Sequence, residues 1–126
     1  MRTGATTLYG ALALLLLVGG VVQFFFAGLG AFGEGFDTHK SFGWILHTLA
    51  LVIFLLALIG PRTGRDIGMA AALVVLMTVQ IMLSNVDTAA VAALHPVLAL
   101  FVLGLASHIG MSHRPGRQAP VSPASS

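Results

Sequence analysis

Apolar residues fill four stretches of the chain, at roughly 7–30, 41–60, 67–84 and 92–111, and polar residues gather between them. A membrane-spanning helix needs about 20 predominantly apolar residues, and each stretch is near that length. Lipid satisfies no backbone polar group and four short spans cannot close a barrel, so the pattern predicts helices. The expected fold class is all-α: an up-down four-helix transmembrane bundle over residues 1–113. Residues 61–66 read as a tight turn. Residues 114–126, rich in Pro, Ser and Arg, read as a disordered cytoplasmic tail. The first run reads as a span rather than a cleaved leader. It reaches Phe32 with only Gln23 as a polar break, whereas a leader's apolar core is about 7–15 residues.

Composition agrees with the pattern. The 126 residues are 57% hydrophobic and only 8% charged, against roughly 25% charged in soluble domains. One domain is expected at this length. Six basic and four acidic residues give a net charge of +2, too little for a nucleic-acid surface. The chain has no cysteine, which excludes disulfides, thiolate metal sites and covalent c-type haem attachment. No nucleophile elbow, phosphate-binding loop or H-E-x-x-H pattern appears, so no catalytic residue is assigned.

The basic residues set an expected orientation. Arg2, Arg62, Arg65, Arg114 and Arg117 lie at the N-terminus, the second loop and the tail, which share one side if there are four spans. The other two loops hold Glu34, Asp37 and Asp87, with Lys40 the only positive group. The positive-inside rule puts both termini in the cytoplasm and turns Phe36–His39 outward. The location expected is the bacterial cytoplasmic membrane.

The two halves of the chain resemble each other. Val22–Gln23 recurs as Val79–Gln80, and Asp37–Thr38 recurs as Asp87–Thr88. His39 follows Gln23 by 16 residues and His95 follows Gln80 by 15. An internal two-helix repeat with a pseudo-two-fold axis along the membrane normal would produce this pattern. Gln23, Gln80 and His47 are the expected polar core. His47 lies about 12 Å below His39 along a helix, level with Gln23. Such a glutamine would bond His47 or a backbone carbonyl across helices, as intramembrane amides do.

His39 and His95 both fall in the first turn of an even-numbered helix. Gly43 and Ala99 stand one turn below them, on the same faces, and leave room for a flat ligand. In an up-down bundle those two helices are diagonal. The pair therefore has two readings. It consists of interfacial histidines that meet headgroup water, or of axial ligands to one haem b iron. A bare metal and proton transfer are further chemistries open to imidazole. Pro96 biases His95 away from regular helix, which marks a bend or the helix start. His108 lies about 20 Å along the helix from His95, but Val52 and Ile53 occupy the matching depth on the second helix, so a second haem has no ligand pair. His108 and His113 are expected among cytoplasmic headgroups. Gly19, Gly20, Gly28 and Gly30 suit close packing, Phe24–Phe26 form apolar bulk, and Tyr9 and Trp44 suit the inner and outer interfaces. Asp37 or Thr38 can cap the second helix.

Three segments carry a resemblance: "VVQFFFAGLGAF" at 21–32, "FDTHKSFGW" at 36–44 and "ALHPVLAL" at 93–100. With them, residues 8–111 resemble a family of small four-span bacterial membrane proteins of unknown function, which implies the fold and no activity. His39 and His95 are also distantly similar to the axial ligands of membrane b-type cytochromes. The missing fourth histidine departs from the two-haem pattern and argues against electron transfer across the whole membrane. Two functions follow as expectations. One is a non-catalytic protein acting by association within the bilayer, with a membrane-protein partner or a second copy. The other is a single-haem electron carrier. A transporter subunit fits less well, because no charged residue lies at mid-membrane to couple ions.

Overall fold

The computed structural model describes residues 2–60 and 62–114. Helix α1 runs Arg2–Leu29 and continues into a π-helical turn, Gly30–Glu34. Helix α2 is Asp37–Ile59, α3 is Gly64–Leu83, the single turn α4 is Ala89–Ala92, and α5 is Leu94–Ser112. All four long segments are long and apolar enough to cross a membrane, with α4 and α5 acting as one span. This is the architecture of a multi-pass membrane protein. Neighbours in the bundle are α1 with α2, α2 with α3, α3 with α5, and α5 with α1. The long helices thus form a closed ring in which α2 and α5 are diagonal.

Large apolar side chains such as Phe25, Phe32, Ile59 and Phe101 point outward. Helices that are hydrophobic all round suit a lipid surround, so burial rather than polarity identifies the core. Glycines apart, the buried residues are Tyr9, Ala13 and Leu16 on α1, and Leu46, Ala50, Ile53 and Ala57 on α2. They continue with Ala70, Leu73, Met77, Gln80 and Leu83 on α3, and Val102, Ala106 and Ile109 on α5. Successive members stand four or three residues apart, the seam of a left-handed bundle. Carried one way, this spacing reaches Gln23 through Gly20, His39 through Gly43, and His95 through Ala99. Carried the other way, it reaches Asp66 and His113. Gln23, Gln80, His39, His95 and His113 are therefore core-facing by register. The end holding the α1–α2 and α3–α5 links is called distal here. The end holding Arg62, Thr63 and Arg114 is called proximal.

Local chemistry explains the helix ends. Gly33 and Gly35 have φ of 113° and 77°, values that only glycine reaches without strain, and they turn the chain from α1 into α2. Helix α2 begins at Asp37, four residues before the apolar run at 41, so its first polar turn is helical. Neither Asp37 nor Thr38 caps it: the N-cap is Phe36, without a side-chain bond. Helix α3 begins at Gly64, inside the segment read as a turn. Thr63 and Asp66 form a reciprocal capping box there. Pro96 occupies the third residue of α5, where no helical bond is broken, and the chain breaks at Ala93 instead. Apart from Arg114, the expected tail lies outside the described residues.

Candidate functional site

His39 and His95 meet across the distal end of the bundle, with ring centroids 5.9 Å apart and planes at 65°. Each ring is fixed from behind in the same way. His39 Nδ1 lies 3.2 Å from the backbone oxygen of Gln23, and His95 Nδ1 lies 3.0 Å from that of Gln80. A carbonyl oxygen only accepts, so both Nδ1 atoms donate. In the neutral ring this leaves the lone pair on Nε2. Phe36 packs edge-on against His39 and folds beneath Gly30, where any Cβ would lie 2.6 Å from its ring.

The rings open into a cavity of about 340 Å³. Its floor is one seam residue from each long helix: Leu16, Leu46, Met77 and Val102. Its walls include Gly20, Gln23, Gly43, Gln80 and Ala99, and its mouth holds Lys40, Ser84 and Asn85. Below the floor, Ala13, Ala50, Ile53, Ala70, Leu73, Ala106 and Ile109 are fully buried. The bundle is thus open at the distal end and filled beneath.

The glutamines serve the cavity unequally. Gln23 Nε2 donates to the backbone oxygen of His39 at 2.7 Å, while its Oε1 is buried without a partner. Gln80 is only 7% exposed, and its Oε1 is likewise unpartnered. Gly43 and Ala99 both line the cavity. Gly43 also makes room for the amide, since a Cβ there would meet Gln23 Nε2 at 2.9 Å. His47 turns away from Gln23. Its Nε2 lies 3.0 Å from Thr78 Oγ1 on α3, and its ring packs on Trp44.

The proximal end carries a cluster that residue-by-residue reading of the sequence overlooks. Tyr9 is fully buried and its hydroxyl donates to the backbone oxygen of Asp66 at 3.2 Å. Arg62 lies over the Tyr9 ring and donates to the backbone oxygen of Ala5. His113 packs edge-on against Tyr9 and places Nε2 3.4 Å from Asp66 Oδ1. His108 accepts from Arg65 at 3.2 Å. The available signal was the four-three seam, which ends at Tyr9, Asp66 and His113.

Among the described residues no group of three or more His, Asp or Glu side chains could hold a metal ion. The distal pair alone offers two ligands. No curated protein and no solved structure matches the chain. The sequence does match a protein family over residues 23–89, a span that contains Gln23, His39 and Gln80 and stops short of His95. That span is more than half of the chain, and the chain belongs to this family of unknown function, DUF6220.

Proposed function

We propose that the protein is a membrane electron carrier that binds one haem b between His39 and His95. The observation that carries this reading is the matched pair of imidazoles, each with Nδ1 donated to a glutamine carbonyl and Nε2 left as the lone-pair atom. The ring centroids stand 5.9 Å apart, and a metal–imidazole bond is about 2 Å, so His39 and His95 are near enough that both would hold one iron. Two protein ligands are too few for a structural metal site, which takes four, whereas a tetrapyrrole brings four nitrogens of its own. The cavity is mainly apolar below and open above, as a partly enclosed flat ligand requires.

This chain's residues would hold the rings and tune them. A hydrogen bond to Nδ1 fixes the ring orientation and raises the basicity of the ligating nitrogen. His39 and His95 would hold the haem, which would supply one-electron chemistry there. The recurrence of the glutamine–histidine contact in both helix pairs supports an origin by duplication. Arginines at the proximal end, and Glu34, Asp37 and Asp87 at the other, support an orientation with both termini cytoplasmic and the cavity outward; the membrane proposed is the bacterial cytoplasmic one.

The test is an absorption spectrum of purified protein, before and after haemin addition, oxidised and reduced. A strong violet band should appear, and His39→Ala or His95→Ala should remove it while membrane insertion persists. A wild-type protein with no such band after haemin addition ends the haem reading. It would leave association within the bilayer, with a membrane protein or a second copy, as the function.

A further inference from the structure

Four charged side chains lie near the distal links: Glu34, Asp37, Lys40 and Asp87. The three carboxylates are exposed and none lines the cavity. The single cation, Lys40, does line it, one residue after His39. No hydrogen bond or ion pair engages its ammonium group among the described residues. Asn85 is already committed: its Nδ2 donates to Ile81 O and to Ser84 Oγ. The polar mouth therefore offers a free cation and no anion, above a floor of Leu16, Leu46, Met77 and Val102.

We propose that Lys40 is an anion-binding residue that holds a carboxylate on the edge of the cavity's ligand. This rests on the haem reading of the same cavity. It adds that the ligand is amphipathic and enters apolar edge first, leaving its propionates at the mouth. The physical reason is that a carboxylate inside the apolar cavity would be desolvated without a partner, while at the mouth it keeps water and gains the ammonium. A long Lys stem can lie along apolar surface and still keep its head at the water boundary. The selection works on orientation as much as on affinity, since the inverted ligand would press its charges onto leucine and methionine.

The experiment titrates full-length protein in detergent with haemin and, separately, with haemin dimethyl ester, following the violet absorption band. Wild-type protein should bind the free diacid about fivefold more tightly than the diester, the size of a partly exposed ion pair, and the preference should shrink with salt. Lys40→Gln should weaken diacid binding to near the diester value and leave diester binding unchanged. Lys40→Arg should keep the preference. Equal binding of both compounds by wild type, or a preference that survives in Lys40→Gln, overturns the role of Lys40 and leaves the histidine reading intact. Absence of the band with both compounds in wild type overturns the two together.

Discussion

Gln23 and His39 are tied to each other twice. The Gln23 amide donates to the His39 backbone oxygen at 2.7 Å, and the His39 ring donates back to the Gln23 backbone oxygen at 3.2 Å. The contact therefore fixes ring orientation and the α1–α2 register at once. The corresponding pair on α3 and α5 has only the ring bond, from His95 to the Gln80 oxygen.

That asymmetry separates two isosteric substitutions. Gln23→Leu should lose about 0.6 kcal/mol, the average worth of a side-chain bond between membrane helices. Gln80→Leu should be neutral or stabilising, because it too removes a buried unpartnered oxygen but breaks no bond like that of Gln23 Nε2 to His39. Unfolding in detergent followed by circular dichroism compares them. A larger loss at Gln80 would contradict the bonding described.

His47 provides a control for the distal site. It bonds Thr78 and does not line the cavity. His47→Phe should therefore leave any haem spectrum unchanged, in contrast to His39→Ala. A shifted or missing band in that variant would place the ligand elsewhere.

Packing at the proximal end is testable with two glycines of α1. A Cβ on Gly10 would fall 2.7 Å from the backbone oxygen of His113, and one on Gly28 would meet nothing within 4 Å. Gly10→Ala should destabilise by roughly 1–3 kcal/mol through overpacking against a backbone that cannot rotate away. Gly28→Ala should gain up to about 1 kcal/mol from helix propensity. Thermal unfolding of both variants checks the contrast; equal melting temperatures would mean that α5 does not approach α1 there.

The orientation is checked by reporter fusions placed after Gly64 and after Ser126. Both should report the cytoplasm, because Arg62, Arg65 and Arg114 bias that side. An outside signal from either fusion reverses the assignment of the cavity's face.

The four helices were legible because the bilayer demands length and apolarity, and both are written locally in the sequence. Helix ends were less so. The polar turn at Asp37–Lys40 is helical because the glycines of the π-helical turn allow α2 to start early, which hydropathy does not register. His39 and His95 could be proposed as partners because each follows a glutamine by a similar interval, opens an even-numbered helix and stands one turn above a small residue. The surroundings of His47 could not, because depth along a helix says nothing about the direction of a side chain around it. Tyr9, Asp66 and His113 were hidden for a different reason. They are far apart in sequence, and the four-three seam that joins them emerges only when buried positions are separated from lipid-facing ones.

The filled lower half of the seam bears on the membrane as an insulator. Ala13, Ile53, Leu73 and Ile109 block the axis between the cavity floor and Tyr9, so water drawn into the cavity stops there. The two ends of the bundle are thus separated by a packed apolar layer with no continuous opening between them among the described residues. Any charge that enters the cul-de-sac must leave through the opening by which it came.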